Sequence, residues 1–544
     1  MNTNERYDVI VIGGGPNGLI AGAYLAKAGA KVLLIERRHE TGGGLMTEIF
    51  SGFLFNLHAV YMFMTDVMPP YTDLNLEKYG APYMRPKAQV SLLTKDGKAL
   101  TLYSDVEKSV KSIEKFSTKD AARFREVWRE CEQLANDCLI PATYTFPMGP
   151  MDQVALFSET ETGRRLLEYA EKTPLEIMDE WGFTDEHVKT AILHLICMWG
   201  LDPDNSGLGF LAPLYLNRML NVMIMKGGSH RLGSALHKAF MVNGGEVLEA
   251  AEVVKIVTTG GAAHGVELNT GQKFEARAIL TTTDPQTTFL KLVGEDVCNN
   301  SWPTLADAAK QWEWESYSLF GIHLALSERP VYKAVEKYPE VDDALIKIIG
   351  YESSGDFLSH LKSIKEGKLV VAGHTSTMSD IDPQQAPGDV TPGAASVRWE
   401  SLAPYKPKDG SWSEKAEPYA DALMQLWREY APNLAKAKMI RRYVYPPTFI
   451  EEKLVNMIKG SFKHGAYIPT QMGNFRPNFE CSNYSTPIKG LYVGGASTYP
   501  GGMVLGGGGY NAAGVVVDDL GLKRWWAEPD IVKKAREKKL VPPL

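Results

Sequence analysis

The sequence predicts an α/β protein, and three observations carry that prediction. A β-branched apolar run at residues 7–12 (YDVIVI) leads into a glycine turn, an apolar helix and a second apolar run at residues 31–35, closed by Glu36. A second strand, glycine loop and helix start follow much later, in GLYVGGASTYPGGMVLGGGGYNAAG. The 544 residues are 44% hydrophobic and 23% charged, which excludes disordered, collagen-like and small disulfide-scaffold classes.

Along the chain, residues 7–12 read as a strand buried on both faces, and Gly13, Gly15 and Gly18 follow in GGGPNG. Residues 19–28 read as a helix of small and apolar side chains that Gly29 ends, and residues 31–35 as the next strand. Residues 104–180 have helical spacing with charged faces. Residues 191–225 are apolar, with Trp199, Phe210, Tyr215 and several methionines, and serve equally as core or as the lining of an apolar pocket. Residues 226–240 open on a glycine pair and continue as a helix. Residues 245–257, 265–268 and 278–282 read as strands. Residues 302–472 alternate short strands and helices, with proline-rich connections at 383–392 and 404–407, and there is no internal repeat. The basic, amphipathic tail after Leu520, with Trp525 and Trp526, reads as a docking helix in preference to a membrane anchor.

Charge and cysteines narrow the classes further. A net charge of −7 offers no general attraction to nucleic acid. Cys131, Cys138, Cys197, Cys298 and Cys481 are scattered, with no CxxC, so neither a zinc site nor a disulfide framework is expected. The N-terminus lacks the pattern of a secretory signal. Residues 490–517 carry no charge, but their glycines suit a buried loop entering a helix better than a membrane span. The expectation is a cytoplasmic protein, with peripheral membrane contact left open.

The glycine fingerprint has its whole context. Gly13 permits a tight turn, Gly15 lets backbone approach a pyrophosphate, and Gly18 allows helix to pack on strand. Glu36 stands 18 residues beyond Gly18, where an acid accepts hydrogen bonds from ribose hydroxyls and disfavours a 2′-phosphate. A second glycine turn at Gly42, Gly43 and Gly44, and the third near the C-terminus, would bring further amides to an anionic ligand. Three such contacts suit FAD better than NAD.

GGGPNGLIAGAYLAKAGAKVLLIERRHETGGGLMTE and the C-terminal glycine segment resemble the FAD-binding motifs of the phytoene desaturase and carotenoid isomerase family, related to amine oxidases and GDP-dissociation inhibitors. Within it, GFLFNLHAVYMFM and DLNLEKYGAPYM look most like the branch of pyridine nucleotide-disulfide oxidoreductase domain proteins. The resemblance implies a Rossmann-type FAD-binding domain of the glutathione reductase type with a discontinuous α+β substrate-binding domain. It implies residues 1–75, 220–300 and 480–522 for the first, 76–219 and 301–479 for the second, and 523–544 as a tail. It further implies that Gly13, Gly15 and Gly18 hold the pyrophosphate and Glu36 the ribose, with Arg37 and Arg38 close by. Gly43, Gly44 and Leu45 would follow the ribityl chain, Val253 would meet the adenine, Gly495 and Ala496 would line the flavin, and Met503, Val504 and Leu505 would stand at the ring's pyrimidine edge. The chain departs from the family at Tyr499, where relatives often have His, at Tyr510, where they often have a small residue, and at Leu505, where they have Pro.

His58, in the apolar FNLHAVYMF, and the loop residues Tyr499 and Tyr510 are the candidate catalytic groups, set against plain core roles for each. His323 is read as structural and His230 as facing solvent or cofactor. No nucleophile elbow is present. The expected function is FAD-dependent dehydrogenation of a hydrophobic unsaturated substrate, with isoprenoids as the class the resemblance implies. A redox-neutral isomerase or hydratase, an amine oxidase and a flavin-free escort protein stay open as alternatives. No second dinucleotide fingerprint is found, so the expected electron acceptor is a quinone, oxygen or another carrier, and homo- or hetero-oligomers stay open.

Overall fold

A computed structural model describes residues 6–389 and 392–543. Residues 1–5 of the N-terminal reading, residues 390–391 of the proline-rich connection and Leu544 of the tail lie outside the described residues.

The apolar runs at Tyr7–Ile12 and Val32–Ile35 pair in parallel, and Glu246–Leu248 continues the sheet beyond the second. Lys273–Thr281 holds the centre on the other side. Its C-terminal half runs parallel to Tyr7–Ile12 and to Leu491–Val493, while its start pairs antiparallel with Ala262–Leu268. One sheet is thus assembled from both ends and the middle of the chain. Helix Pro16–Lys27 starts three residues earlier than the sequence reading, because Pro16 fits the first helical position. It packs against His230–Val242 and Gly507–Asp519 through glycines: a Cβ on Gly22 would lie 3.2 Å from the Phe240 ring, and one on Gly509 only 2.2 Å from the Asn17 carbonyl.

A second seven-stranded sheet runs Met439–Tyr445, Tyr317–Leu326, Ala395–Pro404, Gly373–Thr377, Ala344–Ile349, Ala88–Leu93, Ala99–Leu102. Only the Ala344–Ile349 and Ala88–Leu93 pair is parallel. Its strands are buried along their length except Met439–Tyr445 at the edge, so both faces are covered. Helix Glu186–Cys197 packs against its Ala88–Leu93 and Ala99–Leu102 strands. The uncharged 490–517 stretch is a strand, a buried loop and a helix start, and no described helix is long and apolar enough to cross a membrane. The tail docks on the first helix: the Trp525 indole donates to the Tyr24 carbonyl at 3.0 Å, and the Lys27 ammonium lies 3.5 Å over the Trp525 ring.

Candidate functional site

A cleft of about 460 Å³ runs along the C-terminal ends of the parallel strands, the place where open α/β sheets bind ligands. It is lined by Gly13, Gly15, Gly18, Glu36, Arg37, Arg38, Gly43, Gly44, Val253, Gly495 and Ala496. The glycines have different reasons to be there. Gly13 has a φ of +97°, and a Cβ on it would meet the Thr282 hydroxyl at 2.4 Å. A Cβ on Gly18 would lie 2.0 Å from the Gly13 carbonyl. Gly15 is different: its φ of −70° is ordinary, and no protein atom lies within 4 Å of where its Cβ would be. The space above Gly15 belongs to the cleft, which is the fit expected of a pyrophosphate cradle.

Glu36 is held at the cleft edge by two amides. One carboxylate oxygen accepts from the Gly14 N–H at 2.6 Å and the other from the Arg38 N–H at 2.8 Å. Each oxygen keeps a lone pair for a hydroxyl. The second glycine turn is fastened to the first by the Gly42 N–H on the Gly14 carbonyl, 2.7 Å. Arg37 pairs with Glu252 at 3.5 Å and Arg38 with Glu40 at 2.6 Å. Leu45 does not reach the cleft; it is buried in the core.

Through Pro16, Asn17, Gly44, Met457, His464 and Ala496 the cleft adjoins an inner chamber of about 120 Å³. Its other walls include His58, Tyr61, Trp199, Leu319, Glu400, Tyr445, Met503 and Val504. Met503 and Val504 have φ of 70° and 57°, left-handed values that cost a side chain, and a β-branched one most, about 1–3 kcal/mol. The strained pair lies where the chamber meets a third cavity of about 290 Å³, which shares Phe63 and Met503 with the chamber. Phe210, Leu211, Leu214 and Tyr215 line that third, apolar cavity while Trp199 and Met219 line the chamber, so the 191–225 segment serves as both core and pocket wall.

His58 lies in the chamber wall, its Nε2 buried and without a hydrogen-bond partner among the described residues. Burial, with the cations Arg38, Arg398 and Lys453 nearby, lowers its pKa to about 3. Tyr499 lines the apolar cavity instead, its hydroxyl donating to the Ala142 carbonyl at 2.8 Å. Tyr510 is not brought to the chamber; it packs edge-on against Tyr24 and Tyr144 beneath the tail. Val504 faces the chamber and Leu505 the apolar cavity, while Met503 lines both. His323 is stacked between Phe55 and Tyr445, 5.2 and 5.1 Å away, as a core side chain. His230 does not line the cleft.

A buried polar array beside the chamber is absent from the sequence reading. Arg398 and Glu400, 0% and 2% exposed, form an ion pair on strand Ala395–Pro404. Arg398 also donates to the Tyr445 hydroxyl at 3.1 Å and the Asn56 carbonyl at 3.3 Å, and sits 5.4 Å over the Tyr61 ring. His374 Nε2 meets Glu400 at 3.2 Å, and His194 lies beyond it with neither ring nitrogen partnered among the described residues. The signal was present: Ser396, Arg398 and Glu400 alternate with the apolar Val397 and Trp399, the period of a strand with one polar face.

Burial holds these histidines neutral, lowering His360 and His464 to about 4 as well. The unfolded chain takes up their protons near the ordinary 6.5, which the folded one resists. Stability is therefore full above that value and falls with pH down to about 4 by about 1.4 kcal/mol per pH unit for each such histidine. Thermal melts at steps from neutral pH to pH 5 should show a progressive drop; a flat profile would contradict the neutral assignments.

Residues 11–74 match the family model described as an NAD(P)-binding Rossmann-like domain. The chain is 50% identical over 548 residues to one of the subunits of limonene dehydrogenase from Castellaniella defragrans, covering 99% of this chain and 100% of that one. It is 28% identical to pyridine nucleotide-disulfide oxidoreductase domain-containing protein 2 of Rattus norvegicus, over 95% and 94% of the two chains. With the lycopene-forming phytoene desaturase of a Paracoccus species the identity is 24%, over 94% and 97%. Among solved structures, a putrescine oxidase superposes with a TM-score of 0.61 at 13% identity, over 95% and 98% of the chains, a likeness of fold.

Proposed function

The chain belongs to the family of that limonene dehydrogenase subunit, with the phytoene desaturases as more distant relatives, and from that premise we propose that it is an FAD-dependent dehydrogenase of a small terpenoid hydrocarbon. The observation that carries this reading is the run of three adjoining cavities, from the glycine-lined cleft through the inner chamber to the apolar cavity. A long dinucleotide laid from Glu36 past Gly15 to Ala496 would end at the chamber, where an apolar ligand could meet it. We assign residues 1–75, 220–300 and 480–522 to the cofactor domain, 76–219 and 301–479 to the substrate domain, and 523–544 to a tail.

Bound FAD supplies a hydride acceptor. The chain's own residues do the rest. Trp199, Leu319, Ile450 and Phe462 keep water from the reacting carbon, and the apolar walls orient the hydrocarbon by shape. When an allylic C–H bond breaks and both its electrons leave with the hydride, the substrate is left as a cation. A neighbouring C–H bond then gives its electrons to a new C=C bond, and His58 takes the proton. So acidic a C–H group needs a placed base more than a strong one, which suits a neutral imidazole with a low pKa. Five buried, unpaired cysteines fit a reducing cytoplasm. Reoxidation by a quinone, oxygen or the redox centre of a companion protein would complete the cycle, the limonene dehydrogenase relative being itself one subunit of an enzyme.

The test is the visible spectrum of the purified protein, followed by anaerobic addition of limonene. Bleaching of a flavin band is expected; a flavin band that limonene and its relatives leave untouched would refute the dehydrogenase reading. His58→Ala should slow bleaching by about 10²–10⁴-fold with flavin content unchanged, the range for removing a positioned base.

A further inference from the structure

The tail does more than dock. Leu540 and Val541 are each 1% exposed, and with Pro542 they line the apolar cavity of about 290 Å³. The cavity-lining Cys138 thiol donates to the Leu540 carbonyl at 3.2 Å. Ahead of this contact Lys538 pairs with Asp137 at 2.7 Å, and Lys539 pairs with Glu159. On the far side stands another cavity of about 330 Å³, walled in part by the aromatic side chains of Tyr144, Tyr510 and Trp526 and in part by Arg524, Glu528 and Arg536. The two cavities share Thr145, Phe146 and Pro542, so the tail and the 145–146 segment are the partition between them.

We infer that residues 540–542 form a wall of the substrate cavity that limits the length of hydrocarbon it accepts, an inference that rests on the terpenoid reading above. At about 290 Å³ the cavity lies at the lower end of the roughly 300–1,000 Å³ of small-molecule sites. A monocyclic hydrocarbon of ten carbons suits it, and a ligand longer by one isoprene unit must displace the partition. The second cavity is where that extra length would go if the wall were removed. One extra methylene in a hydrophobic pocket is worth about 10–200-fold, and an isoprene unit adds five carbons.

Direct titration tests this, with limonene and with bisabolene, the same cyclohexene ring bearing one more isoprene unit. Binding is measured on flavin-loaded protein without turnover, and bleaching separately. The wild type should bind limonene at least about tenfold more tightly, and a chain ending at Lys539 should bring the two within about twofold. Leu540→Ala with Val541→Ala keeps the tail's anchors and should move the ratio the same way, which covers a truncation that fails to fold. A ratio unchanged in folded variants overturns the inference, as does equal weakening of both ligands or a wild type that does not discriminate. If the ratio moves with the tail while neither ligand bleaches flavin, the wall stands and the dehydrogenase reading falls.

Discussion

Gly15→Val is expected to give a folded protein without flavin. At this position φ is −70° and ψ 178°, extended values that a β-branched side chain adopts freely, and the nearest protein atom is more than 4 Å from the new Cβ. The new side chain starts out into the cleft, where the pyrophosphate would lie against backbone. A clash costing even about 3 kcal/mol is more than a hundredfold in cofactor affinity. Gly18→Ala makes the contrast, because its Cβ would stand 2.0 Å from the Gly13 carbonyl and the helix must move. That variant should lose stability as well as flavin. Flavin content and the melting temperature of the cofactor-free protein separate the two. Normal flavin content in Gly15→Val would overturn the placement of the cofactor.

That contrast also shows what the sequence could disclose. Gly13, Gly15, Gly18 and Glu36 sit within one local strand-turn-helix-strand unit, so spacing alone was enough to place them. The C-terminal glycine segment was legible for the same reason, since Leu491–Val493 and Gly507–Asp519 repeat the strand, loop and helix pattern. Leu45 and Tyr510 were drawn in by adjacency to those motifs, but a neighbour in sequence can point the other way. Leu45 turns into the core and Tyr510 under Trp526. The array around Glu400 escaped because it is built across elements: Asn56, Tyr61, His374, Arg398 and Tyr445 come from five places, joined only by the pairing of the second sheet and the hairpin beside it. The tail's place against Cys138 had no local signal at all.

The second large effect is expected at that array. Arg398→Met should cost about 3–5 kcal/mol, because it leaves Glu400 charged, buried and without its cation. Glu400→Leu added to it should recover much of the loss, since an apolar pair of similar volume needs no compensation. In the wild type the Arg398 guanidinium and His374 overcome the cost of burial and hold the Glu400 carboxyl below its usual range. Its contribution is therefore present above the ordinary 4.5 and is lost as pH falls through the lowered value. Without Arg398, burial dominates and raises that carboxyl, so the sign reverses: stability relative to the unfolded chain is then lost as pH rises. The difference between wild type and Arg398→Met should accordingly be larger at neutral pH than near pH 5. Denaturant titration of the single and double variants at both pH values measures it. A single-variant loss below about 1 kcal/mol, or a difference that grows on acidification, would mean that the pair is not the compensated charge the geometry describes. Because Glu400 also faces the chamber, the same series asks whether the pair matters to the ligand. If the apolar double variant is stable and still binds limonene, the charges serve the scaffold, and the proton chemistry is left to His58.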